Sequence, residues 1–428
     1  MWRQLISVAA LIVPVLPGMV HSFDIPQEPL RLHDAIAYAQ QTHPASRQLE
    51  LDYELARDAH HQLESGSQLD ARVLIVPQRA DRAAMGMPNS EDDSYARLEL
   101  SYPIFDSGLR RAATDHAATT RDLAERAVDL TIDQRRLSIM RHYFDVLLAD
   151  LDYAVKNEKM TLAFLRFNRH REEMDLYQAH AEVDVLALET IYRDRFHVRE
   201  QAAIERMVAR RKLGMLMGSV DYVPRDLQQP DLSNYLEREV LDFDVMLEQV
   251  LAHSPEMIAA KLQVEKARQA VTVTEKRYQP SIRAKLEANE WAQETGSRNS
   301  ASIGLQLELP LVSESRRSHE RSKSMIDVER AQAGVVEVEH GLRTRVLRLW
   351  KTISLKRVDL AAASVRSDYR DQYMDRARAL YELEEAADIG DAQAEQLRSL
   401  MELKSVEFEL TLAWSEFDML RGAPVYPE

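Results

Sequence analysis

The chain is written twice, and that duplication restricts what it can fold into more than any other feature. Residues 32–218 and 243–422 follow one plan, at an offset drifting from 211 to 204. The first copy opens on an apolar-periodic stretch through Leu32, Ala35, Ile36, Ala39, His43-Pro44, Leu49 and Ala56. In the second copy, Phe243, Met246, Leu247, Val250, Ser254-Pro255, Ala260 and Ala267 fall at the same intervals. Downstream, Leu98, Leu100 and Pro103 match Leu305, Leu307 and Pro310, and the copies close on Gly218 and Gly422. The proline-bearing stretch 219–242 separates them, and 423–428 is a tail.

Each copy carries one strand pair, about 69–103 in the first and about 281–309 in the second. Ile282, Ala284, Leu286 and Ala288 alternate with Arg283, Lys285, Glu287 and Asn289, while Ile303, Leu305 and Leu307 alternate with Gly304, Gln306 and Glu308. Ala96, Leu98, Leu100 and Tyr102 alternate in the same way; the partner strand near 69–77 is more apolar and its alternation is less clear. Strands of about nine residues with one apolar and one polar face suit a membrane barrel, lipid outside and water within. Four strands cannot close such a barrel, and an open edge cannot sit in lipid, so further copies of the chain must supply the rest.

A long proline-free helical stretch follows each pair, about 109–175 and about 316–380. Leu123, Leu130, Leu137, Phe144 and Leu151 recur every seven residues, as do Val328, Val335, Leu342 and Leu349. Such heptads mark helices that coil around neighbours. At 1.5 Å per residue each stretch spans about 100 Å. The remaining helices, about 32–64, 185–216, 243–278 and 388–420, are roughly half as long, so two stacked end to end match one long helix.

Composition narrows the functional classes. Residues 1–22 read as a secretory signal with Arg3 before an apolar stretch from Leu5 to Val20, which puts the mature start at Phe23. No later stretch approaches the roughly 18 unbroken apolar residues of a spanning helix. A net charge of −15 argues against nucleic-acid binding. The absence of cysteine removes disulfides and thiolate metal sites. No phosphate-binding glycine loop, nucleophile elbow or paired-histidine zinc helix appears, so neither an enzyme nor a cofactor is expected. His60-His61 point in different directions on a helix, and His170 and His180 stand alone, so no metal site is expected either.

In its ordered elements the mature chain resembles the TolC-like outer-membrane efflux factors. The likeness rests on the signal, the duplication, His43-Pro44 and Ser254-Pro255, the join Tyr102-Pro103-Ile104-Phe105-Asp106-Ser107-Gly108, and the return beginning Asp184-Val185-Leu186. The resemblance implies a mostly α fold with membrane β: a trimeric 12-stranded outer-membrane β-barrel continued by a long α-helical coiled-coil periplasmic tunnel. It implies a homotrimer in outer-membrane lipid, working with a periplasmic adaptor and an inner-membrane pump as a passive exit duct. The alternative is a soluble periplasmic coiled-coil interaction protein.

The tunnel tip falls at the two helix reversals, near 177–184 and 381–388. By resemblance, Asp388 and Asp391 look like the family's pore-constricting aspartates, and Asp184 with Tyr381 can supply a gate tether. Asp184 and Asp388 also read as helix N-caps. Asp184 and Asp388 each lie 34 residues before a closing glycine, which supports the register. Both reversals are two residues shorter than the family pattern and lack its tip glycine, which helps the adaptor dock. The arginine of the family's closing lock is also missing, with Glu382, Glu384 and Glu385 nearby instead, so the lock here differs in part.

Overall fold

The structure is a computed structural model that describes residues 27–42, 44–65, 69–81, 90–92, 94–177, 179–219, 221–292, 299–311, 314–382 and 389–426. The signal segment, His43 and Asp388 lie outside the described residues. Two helices of 69 residues form the frame, α3 (Leu109–Tyr177) and α8 (Glu314–Glu382). Shorter helices pack along them. In the first half these are α1 (Leu32–Thr42), α2 (Pro44–Glu64) and α4 (Glu182–Leu216); in the second, α6 (Phe243–His253), α7 (Pro255–Arg277) and α9 (Ile389–Leu420). Each opening helix breaks at its proline, which lacks an N–H and clashes with the preceding turn, so Pro255 stands at the first position of α7.

The core is confined to the middle of the frame. Leu137, Met140, Tyr143 and Phe144 of α3 are buried together with Leu32, Ala35 and Ile36 of α1, and with Leu213 and Met217 at the end of α4. Thus the beginning of one short helix and the end of another meet at the midpoint of the long one. The second half repeats this with Leu342, Val346, Leu349 and Ile353 of α8, Met246 and Val250 of α6, and Trp414 and Phe417 of α9. Phe144 and Phe408 stack at 4.3 Å and join the halves. The heptad positions toward the helix ends, Leu123, Leu130 and Val328, are only half-buried.

The segment 219–242, with the short helix α5 (Ser233–Leu236), straps this belt. Leu30 pairs with Leu227 in a single parallel bridge. The Tyr143 hydroxyl lies 2.7 Å from the Leu30 carbonyl and 2.5 Å from that of Gln228, and its one proton serves either. Burial pushes its pKa well above the usual tyrosine range, so it stays a donor. The strap also fixes Gly214: a Cβ there would meet the Tyr222 carbonyl oxygen at 2.0 Å, and backbone cannot step aside. Gly214→Ala is therefore expected to cost about 1–3 kcal/mol by overpacking. Gly334→Ala, in open space on α8, should be neutral or stabilise by about 0.5–1 kcal/mol. Thermal denaturation of the two variants separates the cases, and equal midpoints would refute the close approach.

At one end of the frame lies a four-stranded antiparallel sheet of order β1-β4-β5-β6, with β1 (Asp70–Val76), β4 (Tyr95–Phe105), β5 (Ser281–Trp291) and β6 (Ser300–Glu308). A small hairpin, β2 (Arg79–Asp81) with β3 (Ser90–Asp92), interrupts the first pair and was not anticipated from sequence. The two strand pairs join through β4 and β5. Pro103 sits where that pairing slips, between Pro103 and Phe105, which is where a residue without an N–H is tolerated. The register brings like to like: Val73 opposite Leu98, Leu100 opposite Leu286, and Leu286 opposite Ile303. It also settles β1, which sends Ala71, Val73 and Ile75 to the apolar face and Arg72 and Leu74 to the other. On the polar face Lys285 reaches Glu99 at 3.1 Å and Glu287 at 3.2 Å, and Arg97 reaches Asn289 at 2.8 Å.

Candidate functional site at the helical tips

The end of the frame away from the sheet holds the two helix reversals. The first is tighter than its sequence suggests: α4 begins at Glu182, with Ala181 as N-cap and no side-chain cap. Asp184 is therefore not the N-cap. It stands in the first turn of α4, where a carboxylate still meets the positive end of the helix dipole. Tyr381 is exposed in the last turn of α8. Among the described residues no hydrogen bond joins Tyr381 to Asp184 within one chain. Leu176, Tyr177, Val183 and Leu186 also lie exposed around the first reversal, Tyr177 at 75%.

Asp391 lies in the first turn of α9. Its carboxylate accepts from Arg166 of α3 at 2.8 Å. One turn along, Glu395 receives Lys159 of α3 at 3.3 Å. At Gly390 the start of α9 packs on Leu162 of α3, whose side chain would have to turn aside for a Cβ there. Behind it Met374, Ala377 and Ala392 form a small buried cluster. The basic partner of the second tip thus comes from the long helix of the other repeat. No local pattern in the sequence shows such a contact. The pair is about half exposed, 50% for Arg166 and 58% for Asp391, so it is worth at most about 1 kcal/mol.

The first tip gathers a second group, which corrects the reading of His170 and His180 as isolated. His180, in the reversal, meets Glu173 of α3 at 2.7 Å from Nε2 to Oε2, and the His170 ring lies 4.4 Å from the His180 ring. A backbone bond from Ala179 N–H to the Glu173 carbonyl folds the chain back to bring them together. The hydrogen bond from His180, with the charges of His180, His170 and Arg169, holds the Glu173 carboxyl below its usual range. The signal in the sequence was His-x-x-Glu, which puts both side chains on one helix face.

The fold and these tips define a class: a single-chain frame of two long helices with a terminal apolar-faced sheet and a polar helical end. Comparison with known proteins agrees. The family model described as outer membrane efflux protein matches residues 246–422. No curated protein matches the chain. Among solved structures, the CmeC outer membrane channel of Campylobacter jejuni aligns with a TM-score of 0.72 at 13% identity, over 93% of this chain and 87% of that one. The open-state MtrE outer membrane channel of Neisseria gonorrhoeae gives 0.68 at 15%, over 92% and 89%. A membrane protein from Pseudomonas aeruginosa gives 0.67 at 17%, over 92% and 90%. The resemblance to the TolC-like efflux factors is thus borne out, by family over the second repeat and by fold over nearly the whole chain.

Proposed function

We propose that the chain is one subunit of a homotrimeric outer-membrane channel, the passive exit duct of a tripartite efflux pump or type I secretion system, with most of its length in the periplasm. The observation that carries this reading is the sheet. Its apolar face is bare in the single chain, with Ile303 82%, Leu305 73% and Ile75 72% exposed. Among the described residues β1 pairs only with β4 and β6 only with β5, so both edges lack partners. A long, flat, apolar edge is an aggregation hazard in water and a closure device in lipid. Three copies joined β6 to β1 give twelve strands; β4, β5 and β6, at 9 to 11 residues, have the length of a tilted membrane crossing, and β1 is shorter at 7. Among the described residues no helix is long and apolar enough to cross a membrane. A soluble coiled-coil protein has no use for such a sheet.

The test is the chain's location and assembly. A trimer in the outer-membrane fraction that dissociates to monomer on heating is expected. Recovery of the full chain as soluble periplasmic monomer overturns the reading.

Asp388 and Asp391 then ring the periplasmic constriction, and the Arg166 contact is a latch that tempers their charge while the tip is closed. Asp184 and Tyr381 tether between protomers rather than within one. The exposed apolar residues of the first tip offer a surface for a periplasmic adaptor that links the duct to an inner-membrane pump. Replacing Asp388 and Asp391 with Ala should weaken cation selectivity and relieve block by multivalent cations in single-channel recordings. Arg166→Ala should instead raise the open probability with the trimer intact. Unchanged selectivity and block in the double variant would leave these aspartates as helix-end residues only.

A further inference from the structure

We propose that His170, Glu173 and His180 form a binding site for a divalent transition-metal cation of the zinc type at the first tip. One ligand atom from each lies within 4.8 Å of the other two. The donor set, two imidazole nitrogens and one carboxylate oxygen, is the kind that zinc takes, with a fourth position left to water. In a tetrahedral zinc site neighbouring ligand atoms stand about 3.3 Å apart, so closing this set on an ion needs side-chain shifts of about 1 Å. All three residues are partly exposed at a helix reversal, where such shifts meet little packing.

The hydrogen bonding prepares the ligands. His170 Nδ1 lies 3.0 Å from the Arg166 carbonyl oxygen, which can only accept, so Nδ1 carries the proton. In the neutral ring this leaves the Nε2 lone pair free. A ligand histidine whose other nitrogen donates to a backbone carbonyl is fixed in both tautomer and orientation. His170 and Glu173 are three residues apart on one helix, and the bond from Ala179 to the Glu173 carbonyl delivers His180 from the reversal. The ion replaces the hydrogen bond between His180 and Glu173 and ties the last two turns of α3 to the residue that leads into α4. Hard cations such as Mg²⁺ prefer oxygen-only sites and should not compete.

The site does not depend on the channel reading, because binding is measured directly on the chain. Tag-free, detergent-solubilised full-length protein is titrated with zinc against a chromophoric chelator. One zinc per chain is expected, unaffected by excess Mg²⁺. His170→Ala and His180→Ala should each weaken it by about 10–100-fold or more, whereas Asp58→Asn, an exposed change on α2, should leave it unchanged. Circular dichroism and heat-modifiable trimer migration check that the variants fold. Independently of any variant, Cu²⁺ bound to the unaltered protein should show paramagnetic-resonance hyperfine structure from two imidazole nitrogens. Absence of zinc binding, binding that survives loss of both histidines, or a copper signal without nitrogen overturns the proposal.

Discussion

Arginine in place of Leu305 or Leu307 is expected to destabilise the assembled barrel by about 2–4 kcal/mol, the cost of a charge on the lipid face near mid-bilayer. The same change at Gln306 should be mild. The three side chains belong to one strand and differ only in the face they occupy. Leu305 stands opposite Ala284 and Leu307 opposite Ile282, on the apolar side, while Gln306 stands opposite Arg283 on the polar side. Propensity, loop geometry and folding order are therefore shared, and only the medium differs. The yield of heat-modifiable trimer in the outer membrane reads the difference. Equal yields at all three positions would refute the assignment of faces.

The largest effect away from the membrane is expected from Asp418→Ala. Asp418 lies on α9 with its side chain 8% exposed. It accepts from Arg238 at 2.9 and 3.1 Å and from Arg421 at 2.9 Å. The Arg238 guanidinium lies 4.1 Å from the centre of the Trp414 ring, so cation–π attraction holds it in the belt. Removing the carboxylate leaves two arginines facing each other without their counter-charge. The arginines left behind keep some access to water, 24% and 34% exposed, so the loss is that of charge-assisted hydrogen bonds, about 1.5–3 kcal/mol, against at most about 1 kcal/mol for an exposed pair such as Arg166 and Asp391. Thermal unfolding of Asp418→Ala beside Arg166→Ala tests the contrast. A loss of similar size in both would mean that burial at Asp418 carries no weight.

Much of the frame was legible because it is periodic. Alternation in β5 and β6 placed each side chain before the register was known, and heptads placed the two long helices. The opening helices, read as continuous over about 32–64 and about 243–278, instead break at Pro44 and Pro255, where a missing N–H ends the first segment. What escaped was non-local. In β1 the run Val73-Leu74-Ile75-Val76 is apolar throughout, so only its pairing with β4 reveals which side faces which. The join of β4 to β5 spans nearly two hundred residues and leaves no mark in either strand. At the tips, Arg166 meets Asp391 across the two repeats, and His180 reaches His170 only because the reversal folds it back. Spacing along one helix could not show either. The start of α4 at Glu182 rather than at Asp184 reflects a boundary set by backbone hydrogen bonding, not by a capping side chain.

The belt at mid-height also sets how such a frame can move. The two large buried clusters lie where the strap crosses the long helices, and toward the tips the packing thins to smaller contacts, such as Phe167 on Tyr192 and the Met374 cluster, and to exposed ion pairs. The belt is thus a fulcrum and the lower half of each long helix a lever of about 50 Å. A rotation of about 5° at the fulcrum carries the free end through about 4 Å, more than the reach of one hydrogen bond. A repacking around Tyr143 and Trp414 that turned α3 against α9 by this much would part Arg166 from its carboxylate with neither helix bending.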